Sequence, residues 1–210
     1  GTDTFDFAVY PARANPWTSY DTGLPGMASI DLLSGYNATT GKAWAVGQGN
    51  SNKLRSFDVA SKTWTLYNKD NPNSVEKTKG CVDPLHNLFV FMGAGGAVYV
   101  QDLATPTSPI YSQVVTGTGP SAGQSMLDWD AGGQRFVSWG KTGKTVYFLK
   151  RGARPSVDPW VWTSTTPAGG ATPADATPNG TCGRLRGNIG SLRGVVLMPT
   201  AMAPICFFKF

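Results

Sequence analysis

Three stretches of this chain lie over one another: GKAWAVGQGNSNKLRSFDVASKTWTLYN at 41 to 68, HNLFVFMGAGGAVYVQDLATPTSPIYSQV at 86 to 114, and GQRFVSWGKTGKTVYFLKRGARPSVDPWVWTS at 133 to 164. Each holds an apolar run ending at Gly47, Gly93 or Gly140, a short turn, and a second run ending near Asp58, Asp102 or Lys150. A third run follows, carrying Trp64, Tyr111 or Trp162, and the glycines stand 46 and 47 residues apart. A period of this size constrains the fold strongly, because a unit of a few short strands cannot bury both its faces alone and must stack on neighbours like itself.

A fourth copy, LRGVVLMPTAMAPICFFKF at 192 to 210, carries Pro199 in the glycine position. Ahead of the four copies lie the short runs MASIDLLSGYN, KGCVDPL, SMLDWDAG and CGRLRGNIG, each reading as the strand that precedes the hairpin. Each unit is then a four-stranded antiparallel meander of the length expected of a propeller blade. The predicted blades are 24–68, 75–115, 120–165 and 181–210, in a single domain, 1–210. Runs such as FVSWG and TVYFL are apolar on successive residues, as in strands covered on both faces. The 26 glycines and 15 prolines suit an all-β chain with many turns. Asp58 and Asp102 end strands where a carboxylate bonds turn amides, and the glycines after the second strands are expected to free the backbone for a turn.

With Phe57-Asp58, Thr63-Trp64, Gln101-Asp102, Gly140 and Trp160 to Trp162 in these positions, the chain resembles kelch-type β-propellers of the galactose-oxidase-like group. Lys150 stands where the other copies carry aspartate, and the double glycine after the second strand is missing. The resemblance implies the fold; function has to come from a site. The copper site of galactose oxidase uses tyrosine and histidine ligands and finds no counterpart here, so no cofactor is expected. SFDVASKTW is also similar to the Asp-box of sialidases, but the spacing from Asp58 to Trp64 is one residue too long.

The segment 1–20, with Phe5-Asp6 and Trp17, reads as closing strands. Pairing an N-terminal strand with the C-terminal blade would close a four-bladed ring and remove open sheet edges. The alternative is that the chain is the C-terminal part of a larger propeller, with an upstream fragment as partner. TTPAGGATPADATPNGT, 165 to 181, reads as an extended surface loop.

Little in the chain points to catalysis. His86, the only histidine, lies in the turn DPLHNLF. Cys81, Cys182 and Cys206 have no metal-ligand spacing and read as small buried hydrophobes, with one disulfide plus a free thiol left open. Asp128 and Asp130 flank Trp129 and share one side of a strand, the pair a glycan hydrolase or lyase would use. GAGG at 93 to 96 and GTGPSAG at 117 to 123 lack the Lys-Ser/Thr and the helix of a phosphate loop. The sequons at Asn37 and Asn179 matter only in a secreted eukaryotic protein. No run reaches the length needed to span a bilayer as a helix, so membrane insertion is not expected.

Charge is divided unevenly. Residues 1–130 hold 8 Lys/Arg and 11 Asp/Glu, while residues 131–210 hold 10 and 2, within a formal net charge of +5. The basic half would attract an anionic glycan or an acidic protein face; nucleic acid ranks below a glycan. The expected function is non-enzymatic recognition of carbohydrate or a cell-surface partner. The contacts are expected from the loops GQGNSNK, GAGG, GKTGK and PTAMAP at one end of the propeller, with Asn50, Asn52, Lys141 and Lys144 as binding residues. A structural assembly protein, homo-oligomeric and part of a virion or surface appendage, is the second expectation. Both place the protein outside the cell or on a virion surface.

Overall fold

The computed structural model describes residues 8–9, 18–19, 33–46, 53–70, 80–92, 97–120, 126–140, 142–175, 185–187, 194–197 and 205–209, and no helix occurs among them. The first four-stranded sheet is a meander of β3 (Leu33–Asn37), β4 (Lys42–Val46), β5 (Lys53–Asp58) and β6 (Thr63–Asp70), numbered after the short β1 (Ala8–Val9) and β2 (Thr18–Ser19). The second repeats this with β7 (Gly80–Asp83), β8 (Leu88–Met92), β9 (Val98–Asp102) and β10 (Tyr111–Gln113). In the third, β12 (Met126–Asp130), β13 (Arg135–Trp139), β14 (Val146–Lys150) and β15 (Trp160–Thr165) gain β11 (Val115–Thr116), which pairs in parallel with β15. The last comprises β16 (Leu185–Gly187), β17 (Gly194–Leu197) and β18 (Cys206–Lys209).

The sheets stack face to face because their strands are apolar on both sides. Along β8, Leu88, Val90 and Met92 pack toward Leu127, Phe136, Leu149 and Trp160 of the third sheet. Phe89 and Phe91 alternate with them and pack toward Trp44, Val46 and Leu54 of the first. The same division recurs on β13, where Phe136 joins the second-to-third cluster while Val137 and Trp139 meet Leu185, Leu197 and Phe208. Each large buried side chain of this kind contributes roughly 1.5–3 kcal/mol. The first strands β3, β7, β12 and β16 neighbour one another in that order, along one side of the stack. The approach is close: a Cβ on Gly35 of β3 would stand 3.0 Å from the Val82 backbone nitrogen of β7.

Two expectations change. β1 pairs with β2 in a sheet of its own, and among the described residues the C-terminal sheet ends at β18, so no strand of 1–20 is seen completing it. Nor does Gly140 supply backbone freedom for the β13–β14 turn: Gly143, at φ +74°, takes the left-handed position instead. Gly47 and Gly93 lie outside the described residues.

Candidate functional site

A meander sends its first-to-second and third-to-fourth connections to one end of the stack and its second-to-third connections to the other. At the first end the turns follow one plan. Asn37, Asp58, Asp83 and Asp130 each close a strand, and four residues later Gly41, Lys62, Asn87 and Gln134 take φ of 66°, 58°, 53° and 48°. The side-chain oxygen caps the turn between. Asn37 Oδ1 accepts from Thr39 N at 3.0 Å, Asp58 Oδ1 from Ala60 N and Ser61 N at 3.0 Å, and Asp83 Oδ1 from Leu85 N at 2.9 Å. The caps of Ser61 and Ala60 hold the Asp58 carboxyl below its usual range. Asn37 Nδ2 also donates to Asn87 Oδ1 at 2.8 Å, which clasps the first sheet's turn to the second's; the Asn37 sequon side chain is buried in this clasp.

The residues that invited a catalytic reading are engaged here. His86 Nδ1 lies 2.6 Å from Asp83 Oδ2. Asp130 accepts from Gly133 N and from Arg135 Nε at 3.0 Å, and the Arg135 guanidinium sits 3.7 Å over the Phe148 ring. Asp128 accepts from the Cys81 thiol at 3.7 Å across the first strands. These two, with Trp129, Tyr36 and Ser34, line a depression of about 210 Å³ between β3, β7 and β12. Cys81 is buried and Cys206 partly buried, and Cys182 lies outside the described residues. Among the described residues no three His, Cys, Asp or Glu side chains gather as a metal site would require.

At the other end the described loop among those that sequence reasoning singles out is the one between β13 and β14. Asn50, Asn52 and Lys141 lie outside the described residues, as do the GAGG and PTAMAP loops. Lys144 is described: its Nζ donates to Gly170 O at 2.6 Å and to Gly169 O at 3.5 Å. Trp139 Nε1 donates to Gly143 O at 3.0 Å, and the hydroxyls of Thr145 and Thr166 meet at 2.9 Å. The β13–β14 loop is thereby pinned from below by a buried indole and fastened sideways to the loop after β15. That second loop, with Pro167, Gly169, Gly170 and Ala171, forms one wall of a groove of about 320 Å³. Residues 205–209 form the other. Along them Ile205 is 68% exposed, Phe207 44% exposed and Lys209 exposed, alternating with the buried Phe208.

These sheets and their order of stacking decide the architecture. The fold is β-propeller-like. No family model matches the chain, and no curated protein matches it. Among solved structures it is similar to the major allergen Mala s 1 of Malassezia sympodialis, at 10% identity and a TM-score of 0.53, over 84% of this chain and 54% of that one. It is also similar to YCF48 from Cyanidioschyzon merolae, at 9% identity and a TM-score of 0.43, over 91% of this chain and 61% of that one. For TolB from Acinetobacter baumannii the figures are 11% and 0.39, over 85% and 54%. The chain thus spans little more than half the length of these structures. At such identities the likeness concerns fold alone.

Sequence reasoning names Lys144 as a binding residue, and in the structure its ammonium donates to two loop carbonyls. It passes over Ile205, Phe207 and Lys209. The signal was present as the alternation in ICFFK, which reads as a strand with one apolar face left over.

Proposed function

We propose that this protein is a non-enzymatic recognition module that takes an anionic carbohydrate or cell-surface partner at the loop end of its propeller, outside the cell or on a virion surface. One observation carries the reading: the Lys144-fastened loop and the 205–209 strand enclose a groove with an aromatic ring and an ammonium exposed along one wall. An exposed ring gives a sugar face or an apolar side chain something to lie on, and Lys209 supplies charge for a carboxylate or sulfate. The basic balance of residues 131–210 adds long-range attraction to the same partners. Lys144 both shapes the wall and retains a third N–H for a ligand. Asn50, Asn52 and Lys141, which lie outside the described residues, remain proposed binding residues of this module. In the finer architecture we favour about four kelch-like blades, with the larger propeller as the alternative.

The test is binding of the full chain to an array of neutral, sialylated, uronate-bearing and sulfated glycans. Acidic glycans should be retained over neutral ones, with affinity falling at least tenfold in Phe207→Ala and several-fold in Lys144→Ala. Signals at background for every acidic glycan would end the carbohydrate reading. Phe207→Ala changing only the oligomeric state, followed by native mass spectrometry, would move the groove to assembly.

A further inference from the structure

A third concavity lies at the turn end of the stack, between the first two sheets, and nothing above assigns it a role. It encloses about 250 Å³ and is lined by Thr40 and Lys42 of the first sheet's turn, Asn87 of the second's, and an apolar floor of Trp44, Tyr67 and Leu103. Trp44 and Tyr67 stack at 5.6 Å with an interplanar angle of 25°. The Tyr67 hydroxyl is tied to Ser56 Oγ at 3.1 Å, which fixes the ring. Trp44 is 2% exposed, yet its Nε1, also buried, has no acceptor among the described residues. Leaving such a donor unsatisfied is costly, and indole N–H groups at this depth ordinarily find a partner.

The polar groups around the cleft are mostly donors. Lys42 contributes an ammonium. Asn87 accepts from Asn37 through Oδ1, so its Nδ2 group remains for another partner. The Thr40 hydroxyl donates to Asn37 O at 3.5 Å and can still accept, and the buried Trp44 indole lines the floor. Asp58 stands opposite Lys42 in register; its Oδ1 is held by the amides of Ser61 and Ala60, and its charge also interacts with the Lys42 ammonium, which a ligand carboxylate would share. A donor-rich rim over an aromatic floor selects an acceptor-rich ligand with one apolar side and a negative charge. The volume falls below the 300–1,000 Å³ typical of sites for larger ligands, so it limits that ligand to about one ring.

We infer that the cleft between the first two sheets binds a single uronate-type sugar, with its carboxylate on Lys42, its hydroxyls on Asn87 and its ring over the Trp44–Tyr67 floor. The site is remote from the 205–209 groove and does not depend on it.

Ligand-observed NMR with the full chain tests this, using glucuronate, glucose and inorganic phosphate as separate probes. Glucuronate should bind in the millimolar range, at least tenfold more tightly than glucose or phosphate. Lys42→Ala should weaken it tenfold or more, and Lys42→Arg should restore most of the loss. Asn87→Asp keeps the acceptor for Asn37 and tolerates the left-handed backbone, so the fold survives while a carboxylate faces the ligand; binding should vanish. Phe207→Ala, at the groove, should leave glucuronate binding unchanged. Phosphate binding as tightly as glucuronate would reduce the cleft to an anion site and overturn the sugar assignment. Glucuronate failing to bind, or binding Lys42→Ala equally well, would overturn the site itself.

Discussion

Removing the carboxylate of Asp83 should be the costliest single change at the turn end. The side chain is fully buried; Oδ1 accepts from Leu85 N at 2.9 Å and His86 N at 3.2 Å, and Oδ2 meets His86 Nδ1 at 2.6 Å. Alanine would leave two backbone N–H groups without their acceptor, at about 1 kcal/mol each. His86 is 36% exposed, so solvent screening limits its contact to roughly 0.5 kcal/mol. The sum is about 2–3 kcal/mol. In a chain of 210 residues 1 kcal/mol moves the melting midpoint by about 2–4 °C, so Asp83→Ala should melt roughly 5–10 °C lower. Asp83→Asn keeps an oxygen for the turn amides and should lose about 1 kcal/mol or less. His86→Ala, which removes only the ring, should move the midpoint by about 1–2 °C. Calorimetry and urea unfolding followed by tryptophan fluorescence read all three. If Asp83→Ala fell no further than His86→Ala, the turn amides would be contributing nothing and the shared design of the four turns would lose its energetic meaning.

Two further changes test other parts of the frame. The Arg154 side chain, donating from Nη2 at 2.6 Å, holds the Asp158 carboxyl below its ordinary value of 3.8, with the Arg154 backbone N–H as second cause. A carboxyl lowered by folding adds stability above its unfolded pKa and loses it as pH falls through the folded one. The melting midpoint should therefore drop below about pH 4, and Arg154→Met should flatten part of that drop; identical profiles would refute the pairing. Gly117, at φ +77°, follows the β11 strap, and a Cβ there would run into the Trp162 carbonyl oxygen. Gly117→Ala should cost roughly 1–3 kcal/mol in urea unfolding, whereas Gly169→Ala, with open space around it, should be neutral.

The hairpins were the legible part of this chain. β4–β5, β8–β9 and β13–β14 pair as the alignment of the three copies implies, because runs such as LFVFM and RFVSW can be covered only by sheets on both sides. Asp58 and Asp102 also cap turn amides as their positions suggest. The β11 strap could not be read: TGTGP looks like loop, and it is the pairing with β15, the bond from Trp160 N to Val114 O and the fit of Gly117 and Gly119 against Trp162 that explain why the chain lies there. Gly140 misled for the opposite reason, since a strand-ending glycine suggests a turn even when Gly143 makes it. The four-residue interval from Asn37, Asp58, Asp83 and Asp130 to a left-handed residue was visible in principle. Gly41, Lys62, Asn87 and Gln134 differ in type, however, and share only a backbone angle.

That last point bears on how such a fold can carry a site at either end. At the turn end, the energy of each connection resides in one carboxylate or amide and a few backbone N–H groups, so the intervening residues are free to vary. Thr40 and Asn87 sit in two of these turns, both bonded to Asn37, and both border the cleft between the first two sheets. At the loop end, connections are held by side chains reaching across from elsewhere, Trp139 to Gly143 and Lys144 to Gly170. A substitution in the groove wall therefore risks its shape, while one at Lys42 in the cleft rim risks mainly its chemistry. Binding at the two ends should respond differently to mutation: Lys144 variants should change the affinity of many ligands together, and Lys42 variants should change selectivity for charge alone.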